Sequence, residues 1–101
     1  MSATLVALAE PTRRRILDLL LDEPRSVGAL VSALGLSQPG VSKHLRVLRD
    51  VGLVAVRPAG QQRIYALRTE PLAEIDAWLA PYRRTWSERL DALQRSLDRR
   101  D

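Results

Sequence analysis

With 101 residues, 46% of them hydrophobic, the chain has room for one domain with a small core, and disorder is excluded except at its ends. The absence of cysteine removes disulfides, thiolate metal sites and cysteine nucleophiles, and no apolar run approaches the roughly 18 residues that span a bilayer. The formal net charge of +4 is concentrated: residues 25–68 carry seven Arg/Lys (25, 43, 46, 49, 57, 63 and 68) against Asp50, a net of +6, while the flanks 1–24 and 69–101 come to −1 each.

Leu5, Leu8 and their neighbours predict a short apolar helix. Pro11 suits the first turn of a second helix, where its missing N–H costs nothing. Ile16, Leu17, Leu20 and Leu21 form that helix's core stripe, and Asp22-Glu23-Pro24 ends it. Arg13, Arg14 and Arg15 spread around its first turn, either near a phosphate or as solvated charges paired with Glu10 or Asp18. Ser26 is placed to cap a third helix whose Val27, Leu30, Val31 and Leu34 face the core, and Gly35 ends it. Ser37 caps a fourth helix, about 38–51, with Pro39 in its first turn and Gly52 beyond its end. On a helical wheel Val41, Leu45 and Leu48 cluster on one side of it, and Pro39, Ser42, Lys43, Arg46 and Arg49 on the other.

Leu53–Arg57 and Gln62–Leu67 read as two strands around the turn Pro58-Ala-Gly-Gln61. Alternation puts Ile64 and Ala66 on one side and Arg63 and Tyr65 on the other. From Pro71 the pattern is helical again. Leu72, Ile75, Leu79, Tyr82, Trp86, Leu90, Leu93 and Leu97 step by 3, 4, 3, 4, 4, 3 and 4, close to a heptad seam with one slip. Pro81 falls inside it and predicts a kink, or a break into two helices, near Ala80. The tail from Leu97 to Asp101 is expected to fray.

These elements make a mostly α fold with a small β-hairpin wing: a winged helix-turn-helix occupying 1–101 as one domain. Its core spans 5–70, its wing about 53–68, and a C-terminal helix, 71–98, serves dimerisation. The fourth helix is the right size to enter a major groove, and its outward face is polar, basic and short-chained near its start. Together with the charge concentration, this points to double-stranded DNA as the partner.

The segment Ser37-Gln-Pro-Gly-Val-Ser-Lys-His-Leu-Arg-Val-Leu-Arg-Asp-Val-Gly-Leu-Val54 closely resembles the recognition-helix signature of the ArsR/SmtB (arsenic-repressor) family of bacterial regulators. Ala9-Glu-Pro-Thr-Arg-Arg-Arg-Ile-Leu17 is similar to that family's second helix, and Gly60-Gln-Gln-Arg-Ile-Tyr-Ala-Leu67 to its wing; the resemblance covers roughly residues 5–70. It implies a homodimeric repressor on an imperfect inverted repeat, often in its own promoter, dimerised through its first and terminal helices. It also implies DNA contact by Gln38, Ser42, Lys43 and His44, with the wing tip at Gly60–Arg63. The chain departs from the metal-sensing members of the family. It has no Cys, its one His lies in the recognition helix, and Glu74, Asp76, Glu88 and Asp91 of the terminal helix lack any imidazole beside them. No metal and no cofactor is therefore expected. Gly40 is a smaller departure, standing where a hydroxyl-bearing side chain is common.

The expected DNA-contacting set is Gln38, Pro39, Ser42, Lys43, His44, Arg46, Arg49, Arg57, Gln61, Gln62 and Arg63. Glutamine pairs bidentately with adenine and arginine with guanine or phosphate, and a wing of this composition suits the backbone or minor groove. His44 flanks the apolar side of its helix, so a half-buried histidine packing against the turn is an equal reading. The expected dimer interface is Leu5, Leu8, Leu79, Tyr82, Trp86, Leu90, Leu93 and Leu97. Trp78, Tyr82 and Trp86 at i, i+4 and i+8 fit that interface better than a small-molecule pocket. No Ser, His and acid combine into a catalytic set, so an enzyme is not expected. The first ten residues lack the basic stretch of a secretory signal, and the cytoplasm is the expected compartment. The alternatives are a winged-helix protein-interaction module without DNA function and a metal-responsive repressor. No small-molecule effector is indicated.

Overall fold

The computed structural model describes residues 1–99. In chain order they form α1 (Ser2–Ala9), α2 (Pro11–Asp22), β1 (Arg25–Ser26), α3 (Val27–Leu34), α4 (Gln38–Asp50), β2 (Val54–Ala59), β3 (Gln62–Leu67) and α5 (Glu70–Asp98). The three strands make one antiparallel sheet in the order β1-β3-β2.

The helix starts and stops follow local chemistry. The Ala29 N–H donates to Ser26 Oγ at 3.1 Å, and the Gly40 N–H to Ser37 Oγ at 3.2 Å. Each serine satisfies one of the amides that the first turn of a helix leaves without a partner. Gly35 closes α3 at φ +68°, in the left-handed region that side chains resist. The body is held by Ile16 and Leu20 of α2, Leu30 and Leu34 of α3, Val41, Leu45 and Leu48 of α4, and Leu53 and Val54 behind them, all buried. Each large aliphatic side chain fully removed from water contributes roughly 1.5–3 kcal/mol. Leu21 departs from the expected stripe: it sits 70% exposed near the end of α2.

Strand β1 is an addition to the expected elements. Arg25 pairs with Tyr65 and Ser26 with Ile64, so the start of α3 is tied to the wing. The hairpin turn is also tighter than the four residues expected. Pro58 and Ala59 belong to β2, opposite Arg63 and Gln62, which leaves only Gly60 and Gln61 in the turn. Gly60 has φ +63°, and among the described residues no non-glycine has a positive φ. That is the signature of a type II′ turn, whose first central position calls for glycine and whose twist matches that of the strands. Tyr65 is the buried member of β3, so the side it shares with Arg63 faces the body.

Helix α5 is one element, not two. It runs unbroken through Pro81, so of the kink or break expected near Ala80 the break into two helices does not occur. Proline removes one backbone bond, that of its own N–H to the Ala77 carbonyl, at about 3 kcal/mol. Ala77 is exposed, so water can take up the freed carbonyl, and the Thr85 hydroxyl donates to the Pro81 carbonyl at 3.3 Å. The helix is ordered to Asp98, with the Arg99 N–H bonded to the Arg95 carbonyl; the rest of the tail expected to fray, Arg100 and Asp101, lies outside the described residues. None of its residues is buried, and it stretches the chain to 61 × 29 × 20 Å.

Candidate nucleic-acid interface

Two elements frame one basic face. Helix α4 turns Val41, Leu45 and Leu48 into the core, which forces Gln38, Ser42, Lys43, Arg46 and Arg49 outward; all five are exposed. The hairpin presents Arg57, Gln61, Gln62 and Arg63, also exposed. Between them lies a groove of about 440 Å³ lined by Val27, Gln38, Ser42, Arg46, Arg49, Asp50, Arg63 and Tyr65. Toward the wing tip it continues into a depression of about 400 Å³ bounded by Ser26, Val27, Gly28, Gln38, Gln61, Gln62 and Arg63. The structure thus brings Gln38, Ser42, Arg46, Arg49, Gln61, Gln62 and Arg63 into one continuous surface. Lys43 and Pro39 lie beside it on α4, and Arg57 sits on the outer strand β2.

The cations divide by what they touch. Arg25 Nε donates to the Leu19 carbonyl at 2.6 Å, and its Nη1 lies 3.7 Å from Glu23. Arg68 is paired with Glu70 at 3.3 Å. Both thus have partners within the chain. Among the described residues Lys43, Arg46, Arg49, Arg57 and Arg63 have neither an ion pair nor a side-chain hydrogen bond. The available charge around α4 and the wing is therefore five cations per chain, Arg57 standing on the other side of the hairpin from Arg63, with Asp50 as the acid among them.

His44 points elsewhere. Its Nδ1 lies 3.4 Å from Arg13 Nη1 and 3.8 Å from Glu10 Oε2, so the ring is half-buried against the junction of α1 and α2. Burial alone would raise the Glu10 carboxyl. The Arg13 amide, the neighbouring His44, the Thr12 amide and the Arg13 guanidinium outweigh that effect and hold the carboxyl below the usual carboxylate range. The arginine cluster of α2 has a use that sequence reasoning missed. Arg13 Nε donates to the Ala7 carbonyl at 2.7 Å and its Nη2 to that of Val6, while Arg14 Nη1 donates to the carbonyls of Leu8 and Ala9. These side chains cap the C-terminal end of α1, where cations suit the helix dipole.

Val27, Asp50 and Tyr65 also line the groove and were absent from the expected set. Tyr65 was within reach of the sequence, because it stands two residues from Arg63 on one strand. Gly40 is constrained by its neighbour: a Cβ there would sit 3.2 Å from Ser37 Oγ, pressing on the hydroxyl that caps α4. No three His, Asp or Glu side chains converge into a ligand set among the described residues.

The profile of bacterial regulatory proteins of the arsR family matches residues 10–56, from the N-cap of α2 into the first wing strand. The HTH-type transcriptional regulator Rv2034 of Mycobacterium tuberculosis is 40% identical over 92 residues, which is 91% of this chain and 83% of that protein. The chain belongs to the ArsR family. The transcriptional repressor SdpR of Bacillus subtilis is 33% identical over 72% of this chain and 81% of its own length. Several other curated relatives are longer and are matched over about three fifths of their length. A crystal structure of an ArsR family transcriptional regulator superposes with a TM-score of 0.75 at 32% identity, covering 85% of this chain and 94% of that one. This ArsR-family chain is thus a DNA-binding transcriptional regulator with a winged helix-turn-helix, and not an enzyme.

Proposed function

We propose that the chain acts as a homodimeric repressor that binds an inverted-repeat operator, its own promoter included, through the α4–wing face. The observation that carries the dimer is α5, a 29-residue helix with no buried residue. Trp78, Tyr82, Trp86, Leu90, Leu93 and Leu97 remain between 45% and 60% exposed along it, and Leu5 and Val6 of α1 are exposed as well. The Met1 ammonium meets Glu74 at 3.2 Å, which sets α1 beside the start of α5. A single chain leaves this stripe in water, and a second copy around a two-fold axis covers it. Leu8 and Leu79, included in the expected interface, are partly buried within the chain, so their share is smaller.

A two-fold dimer presents two α4 helices to DNA, and half-sites about 34 Å apart accommodate both. Gln38, Ser42 and Arg46 read base edges there, while Lys43 and the wing hold the backbone. Repression, rather than activation, is the reading favoured by the likeness to a protein named as a repressor. Five unpaired cations argue against a protein-interaction module, which has no use for them. We also infer that release from DNA does not run through a soft-metal site. There is no cysteine, and the one histidine lies against Arg13 and Glu10. A cytoplasmic location suits such a regulator, and no helix among the described residues is long and apolar enough to cross a membrane.

The test is fluorescence anisotropy on DNA upstream of the chain's own gene, against scrambled DNA, at about 150 mM salt, with and without zinc. Nanomolar binding of two chains per site, a large preference over scrambled DNA, weakening by Lys43→Ala and Arg46→Ala and no response to zinc are expected. Sequence-blind binding, unaffected by those substitutions, overturns the reading.

A further inference from the structure

Arg49 and Arg63 line two different depressions. On one side is the groove that also holds Gln38, Ser42, Arg46, Asp50 and Tyr65. On the other is a separate depression of about 340 Å³, completed by Val56, Arg57 and Pro58. The two differ in chemistry. The first mixes donors with acceptors, among them the Gln38 amide, the Ser42 hydroxyl and the Asp50 carboxylate, as base reading requires. The second pairs guanidiniums, which only donate, with the apolar Val56 and Pro58, and no carboxylate lines it. A site that offers donors alone suits a ligand that only accepts and carries negative charge.

Position supports the division. Arg49 lies in the last turn of α4, about three turns away from the Gln38 end. Arg63 stands opposite Pro58 near the tip of the hairpin, on the side of the sheet that faces α4. The two guanidiniums thus approach one depression from the helix and from the wing, and neither has a partner of its own among the described residues. Arg57 belongs to the same depression through its place on β2, but strand alternation directs it to the opposite side of the sheet from Arg63.

We propose that Arg49 and Arg63 form a two-sided clamp on a single phosphate of the DNA backbone, which fixes the register of α4 without reading sequence. The proposal rests on the operator-binding reading above and assigns these two arginines away from base contact. An anion between them relieves the repulsion of two neighbouring cations, and the apolar floor keeps water from competing for their donors.

The experiment uses the full chain and its operator, with single phosphates replaced in turn by neutral methylphosphonates. Neutralising one phosphate per half-site should weaken the parent protein about tenfold, weaken Arg49→Gln and Arg63→Gln less at that same position, and leave the double variant indifferent to it. Because the two arginines share one phosphate, Arg49→Gln/Arg63→Gln together should lower the log–log salt slope by about 0.9 per half-site, whereas separate phosphates would lower it by about 1.8. Their preference for operator over scrambled DNA should hold, while Arg46→Gln reduces it. Sensitivity of the two variants to different positions, or a lost sequence preference, overturns the clamp. So does displacement of operator by inorganic phosphate at constant ionic strength that disappears in the double variant, because that outcome makes the depression a free-anion site. If the parent protein shows no operator preference at all, the operator reading itself fails, and that result is distinct from a preserved preference without a clamp.

Discussion

Replacing Leu90 by glutamate should separate the chains and thereby weaken DNA binding. In the single chain Leu90 keeps 60% of its surface in water. Full burial of a leucine side chain contributes roughly 1.5–3 kcal/mol, so covering the remaining surface is worth about 1–2 kcal/mol. A two-fold dimer buries two copies, giving about 2–4 kcal/mol, or roughly a 30- to 700-fold change in the dimer Kd at 1.4 kcal/mol per decade. A carboxylate placed in the contact adds a desolvation cost on top of the lost burial. Sedimentation equilibrium at low micromolar concentration should find Leu90→Glu monomeric, with unchanged far-ultraviolet circular dichroism because α5 does not depend on this residue for its own fold. Arg84→Glu, on the opposite side of the same helix, should remain dimeric and serves as the control. A Leu90→Glu protein whose dimer Kd stays within about threefold of the parent would refute the assignment of this stripe to the interface.

Ser37→Ala removes the hydroxyl that caps α4 and should lower stability to urea by about 1 kcal/mol. It should reduce operator affinity more than Ser26→Ala does, since that serine caps α3 instead. The Glu10 carboxyl is held below its ordinary range in the folded chain, so it contributes stability that is present above that range and is lost as pH falls through its folded value. Thermal melts taken between about pH 5 and about pH 3 should therefore show a smaller loss for Glu10→Gln than for the parent. An equal loss in both would remove Glu10 from the account. Asp50→Asn deletes the carboxylate of the groove and should raise affinity for scrambled DNA by roughly 2- to 5-fold at moderate salt, narrowing the gap to operator. Unchanged or weaker binding to scrambled DNA would place Asp50 away from the phosphates.

What the sequence made legible was local in origin. Ser26, Ser37 and Gly35 act on the helix ends next to them, and Val41, Leu45 and Leu48 repeat within one helix; each could be read from a few neighbouring residues. The charge concentration survives in the fold, but two of its members, Arg25 and Arg68, already have carbonyl or carboxylate partners within the chain. Strand β1 was invisible because two residues carry no periodicity, and its pairing with Tyr65 and Ile64 spans some forty positions. Arg13 and Arg14 were read as facing either phosphate or solvent. Their actual targets are carbonyls five to seven residues back, exposed by the sharp turn at Glu10. His44 lay on the border of its helical wheel, and only the position of α2 decides which way such a residue turns. Pro81 shows the reverse case, a strong local signal that does not break the helix running on either side of it.

The small sheet carries a last consequence. Both of its edges are poor templates for a further strand: β1 offers two residues, and β2 presents Arg57 and Pro58, the latter without a backbone N–H. A chain with so much bare leucine and tryptophan is at risk of aggregating as it emerges from synthesis. Confining the sticky surface to helices, whose backbone groups are already satisfied, means that accidental encounters lead to reversible helix contacts and not to growing β-structure. The edges of a three-stranded hairpin sheet thereby protect the solubility of a protein that leaves so much apolar helix surface in water.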